Sequence, residues 1–196
     1  VAGAQVLNPF ISIDQDGLVR LVAPAFDMGQ GTHTSLAMIL CDELGARWDD
    51  VRVEGPSVNS AYVVPGVGEQ ATHGSFMVRN WHDPLRLAAA SARQRLVKAA
   101  AAKWQVPESS CTVAEGMVVA EGKSARFGDL AAEATALPAI ENPEVLGTRN
   151  LVGKPTPRID IPAKVDGSAK FGLDVRLPGM VYAAIRQAPV FGSMLE

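Results

Sequence analysis

Apolar and polar residues alternate from Phe10 to Asp14, and an apolar-rich run follows from Leu18 to Ala23. Period-two alternation puts successive side chains on opposite faces of a sheet, so both runs predict strands. The Asp16-Gly17 pair between them predicts a hairpin. Leu36, Ile39, Leu40 and Leu44 then recur at helical spacing. With Thr32 or Thr34 as cap and Gly45 as stop, they predict a helix. Val51-Arg52-Val53-Glu54 alternates again and predicts another strand. The opening order is strand, strand, helix, strand.

Pro56 to Gly74 is a long polar stretch with glycines, and a loop of that length in a compact domain usually carries function or is disordered. Ser75 to Trp104 is helical in pattern and rich in alanine. Pro84 either begins the helix proper, with Asp83 as cap, or interrupts one that starts near Ser75. Two short strands are expected about Gly116 between Thr112 and Ala120, and a short helix between Arg126 and Leu137, ending before Pro138. Composition shifts toward Pro, Gly, Asn and charge from Pro138 to Pro157, which predicts a linker. Phe171 to Val175 and Met180 to Ile185 read as strands separated by Pro178-Gly179. This last part is too short to bury much core alone, so it reads as the start of a second domain or an arm against a partner.

Composition narrows the class. Of 196 residues, 47% are hydrophobic and 20% charged, which describes a folded globular protein. A net charge of −3 argues against nucleic acid as a partner. Arg86, Arg93, Arg95, Lys98 and Lys103 do cluster, but on a helical segment, where a solvated face is expected. No run is long enough to cross a membrane. Cys41 and Cys111 are too few for a disulfide framework or an iron–sulfur site, and Cys41 reads as a small buried hydrophobe. His33, His73 and His82 fit no metal-ligand spacing and read as surface or loop residues, with His73 a candidate cleft residue. Trp48, Trp81 and Trp104 read as core anchors. Asp160, Lys164 and Asp166 suggest a local salt-bridged turn. No Ser-His-Asp arrangement stands out, and no Gly-x-Gly-x-x-Gly unit supports nicotinamide binding.

The chemistry concentrates in Asp27-Met28-Gly29-Gln30-Gly31-Thr32-His33-Thr34. Two glycines around a glutamine, between a strand and a helix, let backbone approach a ligand closely. The glutamine amide offers donors and an acceptor. The first helical turn leaves N–H groups that favour an anion. Taken alone, the same residues describe a tight turn before a helix.

Five later segments change that balance: Gln70-Ala71-Thr72-His73-Gly74-Ser75; Asp83-Pro84-Leu85-Arg86; Leu151-Val152-Gly153-Lys154-Pro155 with Arg158-Ile159-Asp160; Ala163-Lys164-Val165-Asp166-Gly167-Ser168-Ala169 with Phe171-Gly172-Leu173-Asp174-Val175; and Leu177-Pro178-Gly179-Met180-Val181-Tyr182-Ala183-Ala184. With Met28-Gly29-Gln30-Gly31 they lie in the order found in molybdopterin-binding large subunits of the xanthine dehydrogenase/aldehyde oxidase family. From about Asn8 to Phe191 the chain resembles the beginning of such a subunit in the isoquinoline 1-oxidoreductase and bacterial aldehyde dehydrogenase branch.

That resemblance implies a molybdenum hydroxylase, oxidising aldehydes or N-heterocycles with oxygen from water. It implies molybdopterin cytosine dinucleotide with molybdenum as cofactor. The implied partners are the remainder of the large subunit, a small [2Fe-2S] subunit and, in some members, a cytochrome c subunit. Gln30 is expected to hydrogen-bond the cofactor close to the metal, Gly29 and Gly31 to permit backbone approach, and Thr72, Gly74 and Ser75 to hold the pterin or its phosphates. No catalytic residue is expected within this chain. The family's base is a glutamate in a Gly-x-Gly-Glu segment late in the subunit, and Gly66-Val67-Gly68-Glu69 matches that string in the wrong context. The expected fold is α+β: a small mixed sheet packed by two main helices over residues 1–137, a linker over 138–157, and over 158–196 the start of a second, substrate-side α/β domain of the hammerhead type. Alone, the chain is expected to be inert. Periplasm is favoured over cytoplasm, since members of this branch look exported in folded form. The rival class is a non-enzymatic binding or assembly module that reuses the fold without cofactor.

Overall fold

The computed structural model describes residues 3–147 and 149–192. By its contacts the chain divides into two compact units, Val1–Ile159 and Asp160–Glu196.

The first unit carries a four-stranded sheet in the order β1 (Gln5–Asn8), β2 (Ile11–Ile13), β3 (Val19–Val22), β4 (Val51–Glu54). The β1/β2 and β2/β3 pairs are antiparallel, and β3/β4 is parallel. Parallel neighbours need a crossover, which α1 (Thr32–Leu44) supplies between β3 and β4. A second helix, α2 (Met77–Trp104), packs on α1. Its alanines at 89, 92, 99 and 100 are buried, so its backbone lies close to its neighbours. A three-stranded antiparallel sheet, β5 (Thr112–Ala114), β6 (Met117–Ala120), β7 (Lys123–Arg126), and the short α3 (Ala131–Ala136) complete the unit. The core joins Leu7, Ile11, Ile13, Val19 and Leu21 of the first sheet to Leu36, Leu40 and Leu44 of α1, Leu85 and Leu96 of α2, and Phe127.

The α+β class, the hairpin and β4 match their sequence signals. The strands β1 and β7 had no such signal: only Leu7 of β1 and Ala125 of β7 are buried, and one inward residue makes no visible alternation. The cap of α1 differs from expectation. Its first flanking residue is Gly31, at φ 82°, and neither Thr32 nor Thr34 caps it. Pro84 lies inside α2, where it removes one N–H from the helical ladder.

The cationic cluster on α2 is a solvated face only at Lys98 and Lys103, which are exposed; its three arginines turn inward, which corrects the sequence reading for them. Arg95 is 5% exposed. Arg93 and Arg86 both reach Glu43 of α1, at 3.1 and 3.2 Å, and Glu43 is itself buried. Hydropathy alone does not separate an arginine facing water from one facing a buried carboxylate.

The 138–157 stretch, read as a linker, lies along α1 and α2. Leu146 donates its N–H to Glu43 at 2.7 Å, and Ile140 donates to Ser91 at 2.9 Å. Asp42 accepts the N–H groups of Asn150, Leu151 and Val152 at 2.8–2.9 Å. These contacts make the stretch a strap whose backbone is satisfied by two adjacent acids on α1. Asp42→Ala removes three of those acceptor contacts. Tryptic cleavage after the exposed Arg149 is then expected to accelerate by about tenfold, the rate tracking local opening. An unchanged cleavage rate would show that Asp42 does not hold the strap.

In the second unit, α4 (Ile161–Val165) is closed by an ion pair from Lys164 to Asp160, as the sequence suggested. Asp166 does not join it; its carboxylate accepts the Ser168 N–H instead. The two strands expected at 171–175 and 180–185 do not form among the described residues. Residues 172–174 make a 3-10 turn, with Asp174 accepting the Phe171 N–H at 2.9 Å, and 180–185 are irregular. Strand patterning is satisfied only when a neighbouring strand takes the backbone hydrogen bonds, and among the described residues none pairs with these runs.

Candidate functional site

The Asp27–Thr34 segment folds around one carboxylate. Asp27 Oδ1 accepts the N–H groups of Gly29 and Gly31 at 2.8 and 3.3 Å, and Oδ2 accepts that of His33 at 3.1 Å. The positive end of α1 is therefore occupied from within. Burial of Asp27 opposes its ionisation, but these three N–H donors and the nearby His33 outweigh it, so the carboxyl titrates below its ordinary value. Arg158 closes the loop from outside, donating to the Gly29 carbonyl at 2.7 Å and standing 3.6 Å from Asp27.

Gln30 also braces its own loop. Its Nε2 donates to the Phe26 carbonyl at 2.9 Å and to Thr32 Oγ1 at 3.1 Å, and its Oε1 accepts the Met28 N–H. Nothing lies within 4 Å of the space where a Cβ would project from Gly29 or Gly31, and both sit at positive φ, 106° and 82°. A side chain there would strain the turn and close the open face beside Gln30.

The second loop meets the first directly. Thr72 Oγ1 accepts the Phe26 N–H at 2.9 Å, across 46 positions of sequence. Gly74 and Ser75 then both turn through positive φ, 61° and 57°, immediately before α2. That conformation is uncommon for a residue with a side chain and recurs at functional corners. No side chain among the described residues caps the start of α2, so its first N–H groups remain donors, in contrast to those of α1.

Between the loops lies an open cleft of about 530 Å³, lined by Gln30, Thr32, Thr72, His73, Gly74 and Ser75, with Met28, Met77 and Val78 as its apolar surface. That volume lies within the range of small-molecule sites. Four of the six sequence-selected residues line it; Gly29 and Gly31 flank Gln30 instead. Among the described residues, neither lysine nor arginine contributes to the lining. His73 lines the cleft, as its position suggested, and pairs with Glu69 at 3.0 Å on the exposed side. Glu69 itself is not in the lining.

Among the described residues no three His, Cys, Asp or Glu side chains converge to hold a metal ion, and no helix is long and apolar enough to cross a membrane. The donor set suits a large polar organic group: an amide, three hydroxyls, an imidazole and the uncapped start of a helix, with thioether and aliphatic surface beside them. A metal here would have to be carried by such a group rather than by the protein. Sequence reasoning included Asp27 and Arg158 in its segments but gave neither a role. Asp27 had a signal, since an aspartate two residues before a glycine commonly closes an Asx turn. Arg158 had none, because 129 positions separate it from the carbonyl it holds.

An α+β unit that gathers two glycine-bearing loops around one polar cleft defines a binding domain for a sizeable ligand. Residues 5–159 match the molybdopterin cofactor-binding domain, and the chain belongs to that family. The beta chain of isoquinoline 1-oxidoreductase from Brevundimonas diminuta is 35% identical across 96% of this chain and 29% of its own length. Membrane-bound aldehyde dehydrogenase [pyrroloquinoline-quinone] of Gluconacetobacter polyoxogenes is 33% identical across 94% of the chain and 24% of its own length. A nicotinate dehydrogenase subunit of Pseudomonas putida is 33% identical across 93% of the chain and 15% of its own length. The chain thus spans less than a third of the length of these relatives.

Proposed function

We propose that this chain is the N-terminal portion of the large subunit of a molybdenum hydroxylase that oxidises aldehydes or N-heterocycles with water as oxygen source. In this reading it contributes part of a molybdopterin cytosine dinucleotide site. The observation that carries it is the single cleft shared by Gln30, Thr72, Gly74 and Ser75. The names of the relatives, which include isoquinoline, nicotinate and aldehyde oxidoreductases, support the two substrate classes.

When bound, the molybdenum–pterin group supplies the two-electron oxidation. This chain's residues bind and orient it. The Gln30 amide is held in one orientation by Phe26 and Thr32, and by exchanging one of those bonds it donates to the group from a fixed position. The Thr72 and Ser75 hydroxyls and the uncapped N–H groups of α2 receive phosphate oxygens, which suits a helix start without an internal anion. The start of α1 does not serve this role, because Asp27 fills it. Gly29 and Gly31 keep Cβ atoms out of the approach, whereas at Gly74 a Cβ would strike the Phe76 ring at 2.5 Å, so glycine there lets the corner pack. Met28, Met77 and Val78 offer apolar surface along one wall. No group in this chain acts as the base, which lies on the remainder of the large subunit. That remainder, a small [2Fe-2S] subunit and a cytochrome c subunit are the proposed partners, and the periplasm is the proposed compartment.

The test is composition of the intact protein purified with its natural partners. Molybdenum, a pterin and cytosine nucleotide are expected in equal amounts. Pyrroloquinoline quinone is measured in parallel, since one relative's name carries it. Gln30→Ala is expected to lower turnover by about tenfold or more, the scale of losing one positioned donor in an active site. A complex with no molybdenum and no pterin would establish the non-enzymatic binding module instead.

A further inference from the structure

Two facts about the cleft stand in tension. It offers donors for an anion but has no lysine or arginine in its lining among the described residues, and the loop carrying Gln30 is built on an ionised carboxylate. Asp27 precedes the lining residue Met28 and lies three positions from Gln30. An anionic ligand in this cleft would be bound beside the loop that carries that charge. Arg158 stands 3.6 Å from the Asp27 carboxylate, and the same guanidinium holds the Gly29 carbonyl at 2.7 Å. Arg158 is two-thirds covered. The strap that immediately precedes it is tied to α1 at Asp42 and Glu43, and the residue after it, Ile159, donates its N–H to Thr34 Oγ1 at 3.2 Å.

We infer that Arg158 is a positioning and charge-balancing residue for the cofactor loop: it cancels the Asp27 charge beside the cleft and fixes the Gly29-Gln30-Gly31 backbone, so that an anionic pterin nucleotide is retained. The inference rests on the functional reading above. Its physical core is a division of labour. Asp27 is needed to gather three N–H groups into the turn, but its charge opposes the ligand. Arg158 offsets that charge without lining the cleft, which leaves the contact surface to neutral donors. A guanidinium suits the task, since one nitrogen donates to the Gly29 carbonyl while another stands 3.6 Å from the Asp27 carboxylate.

The experiment is a double-mutant cycle on the complete enzyme with its partner subunits, reading molybdenum and pterin retained per complex after dialysis. Thermal unfolding of each variant serves as the folding control. Arg158→Gln is expected to retain about fivefold less cofactor at low ionic strength, the scale of one partly screened charge pair. Arg158→Lys keeps the charge and is expected to lose about twofold. Asp27→Asn removes the charge and keeps an Oδ1 acceptor for Gly29 and Gly31, losing the acceptor of the His33 N–H, a loss the single Asp27→Asn variant measures on its own. The double variant Asp27→Asn/Arg158→Gln is therefore expected to recover most of the loss. Raising salt to about 0.5 M is expected to shrink the Arg158→Gln defect, because exposed charges are screened there.

Each other outcome overturns the inference. Full retention in Arg158→Gln shows that the residue does not serve the cofactor. A loss that neither the second substitution nor salt relieves shows a merely structural clamp. A wild-type complex with no molybdenum and no pterin overturns the functional reading, and this inference with it. A wild-type complex that carries both, beside an unaffected variant, overturns this inference alone.

Discussion

Arg95→Ala is expected to destabilise the first unit by about 3–5 kcal/mol, the range for leaving several buried polar groups without a partner. For a unit of this size the melting midpoint falls by about 10 °C. Arg95 is buried, and its guanidinium donates to three carbonyls: Leu7 at 2.7 Å, Ala134 at 2.9 Å and Thr135 at 2.9 Å. Ala134 and Thr135 lie in the last turn of α3, at the negative end of its dipole, where the Ala134 carbonyl also accepts the Leu137 N–H at 3.2 Å. Leu7 belongs to β1. One side chain of α2 thus closes a helix end and anchors the first strand. Burial lowers its pKa from the ordinary value, but an arginine starts so high that it stays charged. Arg95→Lys is expected to recover only part of the loss, since an ammonium does not span three oxygens in a planar fork. Urea unfolding of the intact protein measures both. A loss below about 1 kcal/mol for the alanine variant would show that the three carbonyls find other donors.

Asp27→Ala is expected to empty the site while leaving the core folded. The substitution orphans the N–H groups of Gly29, Gly31 and His33 together. Two positive-φ glycines then keep only the Gln30 brace and the Arg158 contact to the Gly29 carbonyl, and the loop samples other conformations. Cofactor content is expected to fall by about tenfold, with a stability loss of about 1–2 kcal/mol, within the range for lost caps. The same carboxylate sets a pH dependence. Its folded-state pKa lies below the ordinary value of 3.8, so its contribution is complete above that value and is lost as pH falls through the lower, folded one. The loop is therefore expected to loosen only in strong acid, below about pH 4. Hydrogen exchange at Gly29, Gly31 and His33 as a function of pH reads this directly. Asp27→Ala should exchange fast at every pH; protection that persists in the variant would show that another group holds the turn.

The contrast between Gln30 and Arg158 shows what a sequence can carry. Gln30 was legible because its neighbours in space, Phe26, Met28 and Thr32, are also its neighbours in sequence. The Thr72–Gly74–Ser75 corner was legible for the same local reason. That the two corners share one cleft was not, since the Phe26–Thr72 hydrogen bond joins residues 46 apart. The α2 arginines failed in the other direction. Their spacing fits a wet helix face, and only the buried Glu43 on another helix makes them interior residues.

The sequence by itself determined the local elements: the β2/β3 hairpin, α1 between its glycines, β4, the alanine-rich α2, and the two glycine-bearing corners. Each depends on periodicity or on a backbone angle that only certain residues accept, and both are written within a few positions. Tertiary structure decided which charges are buried, that Asp27 rather than a threonine closes the start of α1, that 138–157 is a strap, and that 171–185 forms no paired strands among the described residues. These outcomes depend on partners far along the chain. A backbone or carboxylate takes the lowest free energy available among groups that folding brings together, and no local pattern records which groups those are.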